Sequence, residues 1–495
     1  MDWDASGFSN DLFLQRFAAL YFRISVGGQE VTLSNGYLLR LLCSPPTDRA
    51  TVLFRRSILE ELVAAPNLRT SLEALYQDLC RLRALLENTG GARRFDINHH
   101  RLDTLAVIKQ VFDRLANEFS GARSGLDRLA ALGAAIVASE PYRALSDMLA
   151  HDAQLATLAL KVTVGADGRI RDFRVLSIDE SQENQFVNPF WRRWLSKLEL
   201  FVRGYKFSQE EVMARLVDSV FSGIEQHLVV LVQLLGDIEF HLGALGFRDR
   251  ASDAGLPVCL PQLIDFEQPR ELVGLFNPLL FLSGMKPVPC DLRVEPSTST
   301  LLITGPNSGG KTRLLQSIGL CQVLAQCGLF IPAKSGNVAM VSGMVASLIE
   351  GSKADQAEGR LGMEMMRIRE LFERLPPNAM VLLDELCSCT NPAEGEHIVE
   401  LVLRMLHRLR PQAFITTHFL AFAQRLSQAQ SVPGLGFIRV GLDADKRPTY
   451  QLSPGVADSS LAEATAERLG VTGDQLLGLV ETNLKRWKLQ PIGSD

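Results

Sequence analysis

Through the first 255 residues apolar positions recur mainly at three- and four-residue spacing, which predicts helices. Phe13, Phe17, Leu20 and Phe22 predict one packed N-terminal helix, and Val31-Thr32-Leu33 before Asn35-Gly36 a short strand and turn. From Tyr37 to Glu87 the pattern is helical, broken at Pro45-Pro46 and near Pro66. Thr47-Asp48 is placed to cap the next helix, which carries Val52, Leu53, Ile58, Leu59 and Leu62. After a loop at Asn88–His100, helical periodicity returns from Leu102 to about Leu160. The period then falls to two: Lys161–Val164, a glycine-bearing turn and Ile170–Ile178 predict a β-hairpin. Between Asn184 and Phe207, Trp191 and Trp194 alternate with Arg192, Arg193, Lys197 and Lys206. That composition fits an amphipathic helix with buried Trp, or a nucleic-acid surface. Ser208-Gln209-Glu210-Glu211 is a capping box. It opens a helix of about 38 residues, roughly 57 Å long, with Leu216, Val220, Leu228, Leu235 and Leu242 on one stripe.

Beyond Gly255–Pro261 the pattern changes. Leu263–Phe266, Asn277–Phe281, Asp291–Val294 and Leu301–Thr304 predict short strands, with helical crossovers later in the chain. The fold class is therefore multidomain: a mainly helical domain over 1–255 with a β-hairpin near 161–178, then an α/β domain over 256–453, then a helix-rich element over 454–495.

Three segments of the α/β domain carry chemistry. The apolar run Leu301-Leu302-Ile303-Thr304 breaks into Gly305-Pro306-Asn307-Ser308-Gly309-Gly310-Lys311-Thr312, and a helical pattern follows. That is the strand, loop and helix setting of a phosphate-binding P-loop. Glycines let backbone N–H groups converge on an anion, and the helix N-terminus adds positive potential. Lys311 is expected to reach the β- and γ-phosphates, and the Thr312 hydroxyl to ligate Mg²⁺. Ala379–Leu383 predicts a buried strand ending in Asp384 and Glu385. Two adjacent carboxylates at a strand end are costly without a dication and a phosphate beside them. Asp384 is expected to hold Mg²⁺, and Glu385 to position and deprotonate the attacking water. Ala413–Thr417 predicts a third buried strand, ending in His418, which could hydrogen-bond a γ-phosphate.

Composition narrows the partners. With 46% hydrophobic residues and a net charge of −5, any nucleic-acid binding must use a local patch or a clamp. Read residue by residue, no apolar run reaches the roughly 18–20 residues of a membrane span, and the N-terminus carries no signal-peptide pattern, so no membrane partner is expected. The eight cysteines are scattered, several in apolar helical stretches, which fits reduced thiols in the cytoplasm. Cys387 and Cys389 lack a second pair at zinc spacing.

Taken together, LLITGPNSGGKT, LLDELCSCTNPAEG and ITTHF resemble, in order and spacing, the ATPase domain of the MutS family of DNA mismatch-repair proteins. The GPN and GGK of the loop, Asp384-Glu385 with Thr390 after four residues, and Thr417-His418-Phe419 carry the likeness. Asn277-Pro278 lies where the family has a His-Pro beside the nucleotide base. The resemblance implies an ABC-type ATPase using ATP and Mg²⁺. It also implies a homodimer with ATP sandwiched between ATPase domains, and long lever helices linking them to DNA. Residues 454–495, with Leu461, Leu469, Leu476, Leu477, Leu479 and Val480, are then dimerisation elements, and no nicking domain is expected after the ATPase. The sequence also departs from the family. It contains no Phe-x-Glu, the wedge motif of mismatch reading. After Gly359-Arg360 it has Leu361-Gly362-Met363-Glu364-Met365 where the family has hydroxyls that reach the partner's ATP, and Ser388 sits between cysteines where the family has a basic residue between glycines. The expected function is a nucleotide-gated, DNA-binding clamp in repair or recombination. The alternative is a nucleotide-controlled protein-binding scaffold with little DNA contact. A small-molecule kinase finds no lid arginines or acceptor pocket to support it.

Overall fold

The computed structural model describes residues 5–26, 29–33, 36–87, 96–152, 156–164, 170–180, 209–306, 309–348, 360–387, 391–445, 447–457 and 470–487. The segment with Trp191 and Trp194, Asn307, Ser308, Gly359, residues 388–390, Leu461 and Leu469 lie outside them. The chain is multidomain, with helices and mixed sheets, and forms two compact units. One comprises Met1–Arg23, Thr32–Arg56 and Gly243–Asp495; the other comprises Ile24–Val31 and Ser57–Leu242. The division thus falls inside the long helix rather than at residue 255, and two N-terminal segments read from sequence as helical domain belong to the α/β unit.

In the helical unit, β1 (Arg23–Val26) and β2 (Gln29–Thr32) form a two-stranded ribbon. Helices Pro66–Glu87 and Asp96–Glu118 bury Leu72, Leu75, Leu79, Val111, Phe112 and Leu115. Arg114 ties them together by pairing with Asp78 at 2.8 Å. The stretch expected to stay helical to about Leu160 instead breaks after Glu118, resumes as Asp127–Val137 and Glu140–Asp152, and turns to strand at Ala156. The hairpin of β3 (Ala156–Val164) and β4 (Ile170–Glu180) is antiparallel, with Val162 opposite Phe173, and longer than the period-two run suggested.

The long helix Gln209–Asp253 has 45 residues. Its stretch His227–Asp253 contains an 18-residue window of mean hydropathy 1.7, long and apolar enough to cross a membrane by length and composition, yet 56% of that window is buried within the protein. Leu231, Leu235, Ile238 and Leu242 are among the buried positions, as expected of a helix whose apolar stripe meets a protein core.

The α/β unit is built on two sheets. β5 (Gln262–Ile264), β6 (Arg270–Leu275), β7 (Cys290–Val294) and β9 (Ser335–Ala339) form a four-stranded sheet in the order β5-β9-β6-β7. β8 (Thr300–Thr304), β10 (Met344–Ser347), β11 (Met380–Leu383), β12 (Gln412–Thr416), β13 (Leu435–Leu442) and β14 (Pro448–Pro454) form a six-stranded sheet in the order β10-β11-β12-β8-β13-β14. All are parallel except the edge strand β14. Every residue of β8, β11 and β12 is buried, which is why these strands read as unbroken apolar runs.

Asn277–Phe281 is not a strand. Pro278–Leu282 is a short helix capped by Asn277, whose side-chain oxygen accepts the Leu280 N–H at 3.0 Å. Asn followed by Pro is an N-cap and first-turn signal, and it outweighs the short apolar run. The single N-terminal helix is also two, Ala5–Asp11 and Leu14–Tyr21, split at Phe13, which adopts a left-handed φ of 53° and is 39% exposed. Asp48 caps the helix Arg49–Ala64 through the Thr51 N–H at 2.7 Å.

Candidate nucleotide site

The chain leaves β8 at Gly305, with φ of 150°, and enters the helix Lys311–Gln326 from Gly310, with φ of 79°. Both glycines also sit against neighbours. A Cβ on Gly305 would stand 3.0 Å from the Val440 side chain, and one on Gly310 would stand 3.1 Å from the Tyr450 ring. Tyr450 itself has a left-handed φ of 60°, a conformation that costs a non-glycine residue about 1 kcal/mol. Nothing in the local sequence singles it out, and only tertiary structure brings β14 to the loop.

Lys311 is 3% exposed. Its ammonium donates to the carbonyls of Gly305 at 3.2 Å and Pro306 at 3.1 Å, and lies 3.4 Å from Glu385 Oε1. Between Pro306 and Gly310 the Gly309 N–H turns back onto the Pro306 carbonyl at 2.9 Å.

The parallel order of β11, β12 and β8 brings their carboxyl ends together, the edge at which open α/β sheets bind ligands. Asp384 follows β11, and its N–H donates to Ser347 of β10 at 3.0 Å. Thr312 Oγ1 donates to Asp384 Oδ2 at 2.5 Å, and Thr416 Oγ1 donates to Asp384 Oδ1 at 2.5 Å. The Glu385 N–H donates back to Thr416 Oγ1 at 2.8 Å. Thr416 is fully buried at the end of β12, and its hydroxyl joins the two strand ends. In the sequence Thr416 reads only as strand; a hydroxyl closing an apolar run is the signal available there. Glu385 and Cys387 take left-handed φ values of 48° and 59°, so the chain turns sharply as it leaves β11.

His418 follows β12 at the same edge. The Thr417 N–H donates to Ile303 of β8 at 3.1 Å, and the His418 ring packs on Phe419 with centroids 4.2 Å apart. Among the described residues none of its hydrogen bonds reaches Lys311, Asp384 or Glu385. Asn277 is 5% exposed; while its oxygen caps Pro278–Leu282, its Nδ2 donates to the Arg313 carbonyl at 2.9 Å and so ties that helix to the first turn after the loop. Of the loop, Asn307 and Ser308 fall outside the described residues.

The donor set sorts itself by chemistry. The Thr312 hydroxyl and the Asp384 carboxylate, already in contact, are hard oxygen ligands of the kind Mg²⁺ takes. Lys311, at the mouth of a helix, is a buried cation whose protein partners are carbonyls and one part-exposed carboxylate, which suits an anionic ligand that can displace them.

These features define an α/β domain with a polar site at the carboxyl edge of its larger sheet. Residues 301–476, which span the loop, both carboxylates and His418, match the family model described as MutS domain V. The chain is also similar to endonuclease MutS2 of Streptococcus thermophilus, 28% identical over 303 residues that cover 60% of this chain and 36% of that protein. It is 30% identical to endonuclease MutS2 of Pelotomaculum thermopropionicum over 269 residues, 53% of this chain and 33% of that protein. With endonuclease MutS2 of Thermus thermophilus it shares 28% identity over 307 residues, 61% of this chain and 39% of that protein. Residues 301–476 carry the likeness to the MutS family, and the chain spans about a third of the length of these relatives.

Proposed function

We propose that this chain binds and hydrolyses ATP with Mg²⁺, and that the nucleotide gates its hold on DNA as a dimer, in repair or recombination. The observation that carries the proposal is the chain of direct contacts from Lys311 to Glu385, and from Thr312 through Asp384 to Thr416, at three adjoining strand ends. Lys311 would exchange its carbonyl and carboxylate partners for the β- and γ-phosphates, in the field of the helix N-terminus. Thr312 and Asp384 would hold Mg²⁺, which when bound neutralises phosphate charge. Glu385, released from Lys311, would orient a water and accept its proton at the carboxylate. His418 would hydrogen-bond the terminal phosphate from the end of β12. Tyr450, 44% exposed with its ring against Gly310, would flank the bound nucleotide.

Two surfaces support the dimer. The helix Gly473–Arg486 buries none of its residues, and Leu476, Leu477, Leu479 and Val480 are 45–61% exposed. On the helix Arg360–Arg374, in the segment where the family presents hydroxyls to its partner, Met365 and Met366 are 46% and 57% exposed. The DNA reading rests on the likeness to the MutS family and on the 45-residue helix, about 68 Å of rigid arm. The relatives are named as endonucleases, an activity that belongs to those proteins.

The test is ATP hydrolysis and solution mass, measured with and without linear duplex, mismatched duplex and branched junctions at several salt concentrations. ATP-dependent, salt-sensitive binding to at least one DNA form is expected. Absence of binding to all three, with ATP hydrolysis intact, would replace the DNA clamp with a nucleotide-controlled protein scaffold.

A further inference from the structure

A cavity of about 30 Å³ lies at the opposite end of the parallel strands from the nucleotide site. Met380 and Gln412, a register pair at the amino ends of β11 and β12, form one wall. Leu272, Leu292 and Val294 of the smaller sheet, with Ile318 and Cys321 of the helix Lys311–Gln326, form the others. Arg270, the first residue of β6, also lines it.

Arg270 is 9% exposed. Its Nη2 donates to the Thr298 carbonyl at 3.0 Å, and its guanidinium stands 5.4 Å from the centre of the Phe266 ring. Its Nε and Nη1 are buried without a hydrogen-bond partner. Gln412, 3% exposed, leaves its Nε2 unpartnered on the same cavity. Among the described residues no carboxylate pairs with Arg270, and burial, the only influence on it, lowers its pKa to about 10. At neutral pH the guanidinium remains charged. A buried cation facing one carbonyl and one ring is far from compensated, since isolated buried charges are strongly unfavourable. Open N–H donors on two side chains that line one small space, around a positive charge, ask for acceptors that carry negative charge.

We infer that this cavity is a binding site for a small monovalent inorganic anion of halide size, held by Arg270 and Gln412. The volume suits one such ion or one or two waters, and excludes a nucleotide or a peptide carboxylate with its chain. The ion neutralises Arg270 and pins the amino ends of β11 and β12 to the smaller sheet. The site is independent of the nucleotide reading: among the described residues none of the loop or of the carboxyl edge contributes to it.

The experiment follows thermal unfolding of the full chain in sodium gluconate, with chloride, bromide, nitrate or phosphate substituted at constant ionic strength. The expected result is a saturable rise in melting temperature with chloride, bromide and nitrate and none specific to phosphate. Crystals containing bromide should show an anomalous peak beside Arg270. Arg270→Met should abolish the halide response without lowering stability in gluconate. Gln412→Leu, which keeps the charge and removes one donor, should weaken halide affinity by about tenfold. Should Arg270→Met fail to fold, Gln412→Leu and the bromide map decide. A halide response untouched by either substitution, or no bromide peak and no halide response in the native chain, would mean that water alone fills the space and would overturn the proposal.

Discussion

Glu385→Gln is the perturbation that tests the proposed site most sharply, because it separates binding from chemistry. In the present state Glu385 Oε1 lies 3.4 Å from Lys311 Nζ, with side-chain exposures of 36% and 3%. Two unit charges at that separation attract by about 5 kcal/mol at an effective dielectric of ~20. Solvent on the open side of Glu385 and the desolvation of Lys311 bring the net value to about 1 kcal/mol. The amide is isosteric and neutral. It no longer competes with polyphosphate for the ammonium, so Mg·ATP should bind about fivefold tighter. It also cannot take a proton from water, so hydrolysis should fall by ~10²–10⁴. Equilibrium binding of a fluorescent ATP analogue and steady-state phosphate release read the two effects separately. Movement in opposite directions is the signature, since a misfolded variant loses both. Undiminished phosphate release would remove Glu385 as the base, and weaker binding would refute the Lys311–Glu385 competition.

His418→Ala should slow phosphate release while leaving ATP affinity unchanged; equal kinetics would leave His418 as a packing partner of Phe419. In the helical unit, Glu61 accepts the Arg123 N–H at 2.7 Å, the Ser124 N–H at 3.0 Å and the Ser124 hydroxyl at 2.5 Å. Burial alone would raise its pKa, but these hydrogen bonds prevail and hold it below its ordinary 4.5. A carboxylate lowered on folding contributes stability in full above its unfolded pKa and loses it as the pH falls through the folded one. Glu61→Gln should therefore lower the melting temperature at neutral pH and flatten its decline below about pH 4.5, measured by calorimetry across the acid range. Gln326 is 1% exposed; it donates to the Pro46 carbonyl at 3.0 Å and the Val341 carbonyl at 2.7 Å, and accepts the Val341 N–H at 3.2 Å. Gln326→Leu strands those backbone groups and should cost about 3 kcal/mol, seen as a lower urea midpoint at unchanged slope.

What was legible in the chain was what local chemistry dictates. Gly305 to Thr312 announces its loop because a left-handed turn, a lysine and a hydroxyl at fixed offsets leave few other readings. Asp384-Glu385 stood out because charge at the end of a buried strand needs a reason. The link between them was not legible: Thr312 meets Asp384 and Lys311 meets Glu385, with Thr416 bridging to both carboxylate residues, only because β12 lies between β11 and β8. Asn277–Phe281 was misread because five residues are too few for periodicity to tell strand from helix, whereas its Asn-Pro capping signal was present. β6, β9 and β10 were not legible because they are only partly buried and so form no unbroken apolar run, with Gly274 and Gly336 interrupting two of them.

The least legible feature carries the largest consequence for how the α/β unit holds together. The helix Lys311–Gln326 is buried on nearly every side, so one sheet cannot account for its cover. The remaining cover comes from the start of the chain. A Cβ on Gly319 would stand 2.8 Å from both Leu12 and Leu382, one from the N-terminal helices and one from β11. Tyr21 donates to the Phe330 carbonyl at 3.3 Å and stacks on Phe247 at 4.4 Å, Arg49 reaches the Leu263 carbonyl at 3.0 Å, and Arg56 donates to the Pro261 carbonyl. Leu12, Leu14, Phe17, Tyr21 and Phe22 are fully buried. At about 1.5–3 kcal/mol for each large apolar side chain, removing five of them is comparable with the ~5–15 kcal/mol that stabilises a whole domain. A fragment spanning 256–495, cut where the sequence pattern changes, should therefore fail to fold cooperatively and expose apolar surface to a reporter dye. A chain that joins residues 1–56 to 243–495 should unfold in one transition and, on the proposed function, bind ATP. Cooperative unfolding of the 256–495 fragment, at the temperature of the intact unit, would show that the N-terminal helices are a covering the domain can lose, and the argument from the burial of Lys311–Gln326 would fail.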